Sequence, residues 1–339
     1  MARYLRYLRY HPSICIMPNW KVARHTLTIS LVGAACPVGK EPCSGMPSSG
    51  YVFYNIFSQL GGTAHAIAIV EEQLRAIRNS SFWPVDEIRF ATIGDPELRG
   101  KVEHVCDEIG ANCTHLGHTK RGSETRTLEP LRAFCTAHPD ATVAYIHDKG
   151  SYHAVLNERG RSSNTVFRRG LMRGVFSSAC VDAITRGVRC DICGMRFSPA
   201  PHAHMPGNMF LARCDYIAKL LPLPHFEQRM NAHYQGEKKT CDWCVGSGRF
   251  ASEHWVGAHP SIRPCDVLDS KYAWAYQNLP DHKTYPIRFA MAPRYRNGHP
   301  YRNEEMKRTV AHALAEWWSI YNEAPPASSL LLRYYAESR

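Results

Sequence analysis

Four times in succession, a short apolar run of strand type is followed by a segment of helical periodicity or by a turn. This alternation limits the fold more than any other feature of the chain. Tyr51 to Phe57 reads as a strand, and a loop with Gly61 and Gly62 follows. Over Ala64 to Arg78, Ile67, Val70, Leu74 and Ile77 fall on one helical face. A second strand is predicted over Glu87 to Ile93. Asp95 and Pro96 then offer an N-cap and a first-turn proline for a helix that ends at Gly110. A strand near Asn112 to Leu116, a helix around Thr127 to Ala137 and a strand at Val143 to Ile146 complete the pattern. Strands separated by helices predict a parallel, helix-covered sheet, so the fold class is α/β, with a Rossmann-like half and helices on both faces.

The fourth strand breaks into His147, Asp148, Lys149 and Gly150. Ligands of open α/β sheets bind at the carboxyl ends of strands, so this is the first candidate site. A lone carboxylate there suits Mg²⁺ or Mn²⁺. Lys149 would neutralise phosphate, and His147 would bond a phosphate or hydroxyl. The competing reading is a turn in which Asp148 caps backbone amides. No GxGxxG or GxxxxGK[ST] follows the first strand, which disfavours a dinucleotide dehydrogenase or a P-loop enzyme.

The chain divides into an irregular segment, 1–49, a nucleotide-binding half, 50–150, a half with two CxxC pairs, 151–325, and a tail, 326–339. The third part is loop-rich, with one helix predicted over Asn164 to Ile184, a short one over Cys214 to Leu221 and a late one over Glu304 to Tyr321. Its pairs Cys190/Cys193 and Cys241/Cys244 have the local spacing of zinc knuckles, so four thiolates would close a structural site. Disulfides of an oxidising lumen and free thiols compete with that reading.

Length, 339 residues, and 44% hydrophobic composition suffice for one large core or two ordinary ones. A net charge of +11 argues for an anionic partner such as a nucleotide diphosphate, or else a generic basic surface. The charge forms no long run, which weighs against a nucleic-acid-binding tail. Arg3, Arg6 and Arg9, with Lys21 and Arg24, precede the apolar segment Leu27 to Ala35, a pattern that fits membrane association through the N-terminus or a leader peptide.

Three motifs carry a family resemblance. Tyr145-Ile146-His147-Asp148-Lys149-Gly150-Ser151 looks like the strand-end motif of GT-A-like nucleotide-sugar transferases related to the rhamnan synthesis protein F group. His204-Met205-Pro206-Gly207-Asn208-Met209-Phe210 and Ser252-Glu253-His254-Trp255 resemble later motifs of that group. Tyr54-Asn55 and Glu71-Glu72-Gln73-Leu74 fit an algal branch of these proteins. The resemblance spans about Gly50 to Val267. It implies a GT-A-like fold and transfer of a sugar from a nucleotide diphosphate to a carbohydrate or protein acceptor. It also implies donor contacts from His147, Asp148, Lys149, Gly150, Ser151, His204, Gly207 and Asn208, with Glu253 and Asp148 as the catalytic residues, Glu253 as the base and Asp148 also as the metal ligand. The usual Asp-x-Asp is missing, which leaves metal dependence open. The implied compartment is the Golgi or secretory lumen of a eukaryote, or otherwise the cytoplasm. Two other readings stay open: a zinc-stapled nucleic-acid-binding module, and a degenerate transferase fold acting as an interaction protein.

Overall fold

The structure is a computed structural model, and it describes residues 50–153, 158–186, 190–195, 197, 203–234, 251–267 and 288–289. The predicted N-terminal segment, the late helix, the tail, Cys241 and Cys244 lie outside these residues.

The first half follows the predicted alternation: β1 (Gly50–Ser58), α1 (Thr63–Arg78), β2 (Glu87–Gly94), α2 (Leu98–Ile109), β3 (Cys113–Thr119), α3 (Thr125–Ala137) and β4 (Thr142–His147). A 3-10 turn, Ser151–His153, follows. Then come α4 (Glu158–Val175), α5 (Ser178–Thr185), β5 (Ile192–Gly194), β6 (Phe210–Arg213), α6 (Cys214–Ile217), α7 (Leu223–Tyr234), α8 (Ala251–Trp255), β7 (Pro264–Asp266) and β8 (Arg288–Phe289).

All eight strands join one sheet of order β3-β2-β1-β4-β6-β5-β7-β8. The pairs β1/β2, β1/β4, β2/β3 and β5/β7 are parallel, and those of β6 with β4 and β5 and of β7 with β8 are antiparallel. The protein is therefore α/β with a mixed sheet. Four strands of the half expected to be mainly loops, β5 to β8, extend the sheet of the first half through β4, so the core does not stop at Gly150.

Alternation along the central strands explains the two covered faces. Val52, Tyr54 and Ile56 of β1, with Ala144 and Ile146 of β4, point to one side. They meet Val70 and Leu74 of α1, Val102 of α2, Met172 and Val175 of α4 and Ile184 of α5. Phe53, Val143 and Tyr145 point to the other side and meet Leu128 and Leu131 of α3, Phe226 of α7 and Trp255 of α8.

Two predicted boundaries are corrected. The helix expected over Asn164 to Ile184 is two helices, because Ser177 is extended and its hydroxyl accepts from the Cys180 N–H as the N-cap of α5. Asp95 does not cap α2 directly. The N-cap is Glu97, whose N–H donates to Asp95 Oδ1. Asp95 also accepts from the hydroxyl of Thr63, the first residue of α1, and so ties the β2–α2 turn to α1.

Among the described residues four disulfides brace the fold: Cys106–Cys113, Cys135–Cys214, Cys180–Cys193 and Cys190–Cys265. Cys190 and Cys193 therefore have partners other than the Cys241/Cys244 pair expected for a zinc site. The disulfide alternative holds for this CxxC, because β5 lies beside β7 and α5 and brings Cys265 and Cys180 within bonding reach.

Candidate functional site

The chain reverses its direction of sheet growth between β1 and β4, and the carboxyl ends of these neighbours form the crevice where α/β sheets bind ligands. The strand-end motif lies there. Asp148 is 2% exposed, and its two carboxylate oxygens accept from the Phe57 N–H at 3.1 and 3.0 Å. The Asp148 N–H donates to Asn55 O, and its carbonyl accepts from the Ser151 N–H. Burial, opposed by the bonds from Phe57 and Ser151, raises the carboxyl pKa well above its ordinary value. Asp148 thus acts as a clasp between β4 and β1, which is the cap-like reading of this residue.

His147 Nε2 lies 2.8 Å from the Gly207 carbonyl. Its enclosure, and next the charge of Lys149, push the imidazole pKa down to about 4, so the ring is neutral near pH 7. Its carbonyl accepts from Gln73 Nε2 at 3.1 Å, and Gln73 Oε1 accepts from the buried Tyr54 hydroxyl. Tyr54 and Gln73, noted for the resemblance alone, therefore hold the end of β4 from β1 and α1.

Lys149 Nζ stands 5.2 Å from the Phe167 ring centroid of α4. No carboxylate forms an ion pair with Lys149 among the described residues. Its carbonyl accepts from Arg168, which is buried and pairs with Glu72 of α1. Gly150 has φ +102°, and a Cβ there would lie 3.2 Å from Asn164 Cβ and 3.3 Å from Arg168 Nη1. The turn after Lys149 thus packs its backbone against α4.

The turn before β6 brings the second motif to the same place. Gly207 has φ +81°, and a Cβ would come within 2.7 Å of Leu171. Asn208 also has positive φ, +45°, an uncommon state for a residue with a side chain. Gly207 connects two candidates at once: its carbonyl meets His147, and its N–H donates to Glu253 Oε2 at 3.4 Å. His204 is buried, with its ring 4.6 Å from that of His254.

The structure thus gathers His147, Asp148, Lys149, Gly150, Ser151, Gly207, Asn208 and Glu253 at one end of the sheet. Sequence reasoning missed Glu124, just before α3. Its Oε2 accepts from Asn208 Nδ2 at 2.5 Å and from the Tyr145 hydroxyl at 2.8 Å. Its partners are 84 and 21 residues away, so no local pattern announces it.

Asp148 does not fit a divalent cation as arranged, because it is buried and both oxygens face the Phe57 amide. Among the described residues no group of three or more His, Cys, Asp or Glu side chains is placed to hold a metal ion. Among the described residues no helix is long and apolar enough to cross a membrane.

A family model matches residues 53–334, most of the chain. The chain belongs to the DUF8361 family, a domain of unknown function. The match begins within β1, runs past β8 and includes every residue of the site. No curated protein matches the chain.

Proposed function

We propose that the chain is a glycosyltransferase that moves a sugar from a nucleotide diphosphate to a carbohydrate or protein acceptor. The observation that carries this reading is the Lys149 ammonium. It stands at the carboxyl end of β4, beside the β1/β4 crevice, with no carboxylate to neutralise it among the described residues. A cation left in that position suits a diphosphate. The β3-β2-β1-β4 order is that of a mononucleotide-binding half. The reversed β6 that follows departs from a doubly wound dinucleotide fold and agrees with a Rossmann-like sheet of GT-A-like type.

In an inverting transfer, Glu253 takes the proton of the acceptor hydroxyl while that oxygen bonds to the anomeric carbon. The bond from that carbon to the diphosphate oxygen breaks, and Lys149 meets the charge that stays on the leaving group. His147, neutral, fixes the Gly207 carbonyl, and Gly207 in turn orients Glu253. Asp148 and Ser151 hold the crevice in shape.

An oxidising compartment such as the secretory lumen belongs to this reading, supported by eight cysteines joined in four disulfides. The zinc-stapled nucleic-acid-binding alternative has less support, since two of its four thiolates are in those disulfides. The interaction-protein alternative has one observation in its favour, the occupied carboxylate of Asp148.

The test is a thermal-shift screen of purified protein against UDP-, GDP- and dTDP-sugars, with and without Mn²⁺. A ligand at 100 times its dissociation constant adds about 2.7 kcal/mol of stability. A shift with one nucleotide that Lys149→Ala abolishes supports the transferase. Absence of any shift transfers the weight to the interaction protein.

A further inference from the structure

The site is divided electrically. Lys149 and Arg168 lie on the α4 side of the strand end, whereas carboxylates collect around Tyr145 and the Gly207-Asn208 turn. Burial raises the Tyr145 pKa most, and the charges of Glu124, Asp148 and Glu253 raise it further; of the three, Glu124 accepts from the Tyr145 hydroxyl. Glu227 of α7 accepts from the Thr125 hydroxyl, and its pKa is raised by burial and then by Glu129 and Glu124.

Within this cluster Asn208 is 1% exposed and is held in a left-handed conformation. Its amide nitrogen donates to Glu124, while Oδ1 of the same planar amide is buried with no hydrogen-bond partner. A buried acceptor without a donor is costly and calls for one. The missing chemistry is a hydroxyl or N–H. Glu124 is half-buried beside it, and its Oε2 is fixed by Tyr145 and Asn208.

We infer that Glu124 and Asn208 form the hydroxyl-reading end of the sugar pocket and select an uncharged sugar over an anionic one. The inference rests on the transferase reading. The unpartnered Oδ1 of Asn208 matches a hydroxyl donor of a neutral hexose, and Glu124 holds that amide in place. The carboxylate of a uronate would instead meet Glu124, Glu227 and Glu253, and like charges in a partly desolvated pocket repel strongly.

The experiment measures dissociation constants by calorimetry for UDP, UDP-glucose and UDP-glucuronate, and for the GDP and GDP-mannose/GDP-mannuronate set, on the wild type, Glu124→Gln and Asn208→Gly. The glycine variant keeps the positive φ and removes only the side chain. The wild type is expected to hold the neutral sugar nucleotide about tenfold more tightly than the uronate. Each variant should lose about tenfold for the neutral sugar nucleotide while the bare diphosphate changes less than twofold. Glu124→Gln should also shrink the discrimination against the uronate. Equal affinities for neutral sugar and uronate in the wild type would overturn the inference. So would variants that bind the neutral sugar like the wild type, which would make Glu124 and Asn208 a brace of the fold. If the wild type binds neither diphosphate nor sugar nucleotide, the transferase reading itself fails and the inference falls with it.

Discussion

The Phe57 amide donates to both carboxylate oxygens of Asp148, at 3.1 and 3.0 Å, and so fastens the end of β1 to the residue that follows β4. The carboxylate that opens the strand-end motif thereby serves as a backbone clasp. Asp148→Ala leaves the Phe57 N–H without this acceptor and removes the side-chain bond to Ser151. An orphaned donor costs about 1–3 kcal/mol. Urea denaturation should show a loss of that size. Asp148→Asn, which keeps one acceptor oxygen and removes the buried charge, should lose less. Unchanged stability of Asp148→Ala would mean that the clasp contributes nothing.

His147 makes stability depend on pH with a defined sign. Its pKa in the folded chain is about 4, against about 6.5 when unfolded. The unfolded chain therefore takes up a proton between these values that the native chain refuses, and stability falls as pH drops through that window. At pH 5 the loss relative to pH 7 amounts to about 2 kcal/mol from this group. Asp148, with a raised pKa, works in the opposite sense and favours the fold as it protonates. Replacing His147 by Gln keeps a donor for the Gly207 carbonyl and removes the titration. Denaturation midpoints of the two proteins should converge at pH 5 relative to pH 7. A slope that survives in His147→Gln would assign it to another group.

The proposed role of Lys149 predicts a small effect on stability and a large one on binding. Its contact with Phe167 is worth about 0.5–1 kcal/mol at a partly exposed site. Lys149→Ala should therefore shift the melting temperature little. It should weaken the bound nucleotide diphosphate about tenfold or more and flatten the salt dependence of binding. Equal affinity in mutant and wild type, measured by calorimetry at low and high salt, would remove Lys149 from the site.

The first half of the fold was legible because each element carries its own periodic signal. Val52, Tyr54 and Ile56 alternate with Phe53, and Val70, Leu74 and Ile77 recur at helical spacing. Gly110 supplies the left-handed helix end that was predicted, at φ +68°. Beyond Gly150 the strands have two to four residues, too few for a period to register, and α8 has five. The break at Ser177 depends on a single capping hydroxyl inside an otherwise continuous apolar pattern. Similar limits apply to the site. His147 to Gly150 announce themselves as a polar break after an apolar strand, but Glu124 bonds Asn208 and Tyr145, residues far from it in the sequence. The Cys190/Cys193 spacing suggested half of a zinc site shared with Cys241 and Cys244, whereas the bonds formed run to Cys265 and Cys180, because topology and not spacing sets which sulfurs meet.

Those bonds differ in how much chain they close, and their removal should rank accordingly. Cys135–Cys214 and Cys190–Cys265 span 79 and 75 residues, while Cys106–Cys113 spans 7 and Cys180–Cys193 spans 13. Loop-closure entropy gives about 4.5 kcal/mol for the two long spans and about 2.5–3 kcal/mol for the short ones. The pair Cys135→Ser/Cys214→Ser should therefore destabilise most among single-bridge removals tested against Cys106→Ser/Cys113→Ser. The long bridge also joins α3, whose first turn follows Glu124, to α6 beside β6, so its loss should loosen the Glu124–Asn208 contact as well. The check is a guanidinium titration of both double variants, with free-thiol counting under denaturing conditions on the wild type. Reactive thiols from any of the eight bridged cysteines in protein made in an oxidising compartment, or equal losses for long and short spans, would contradict this account.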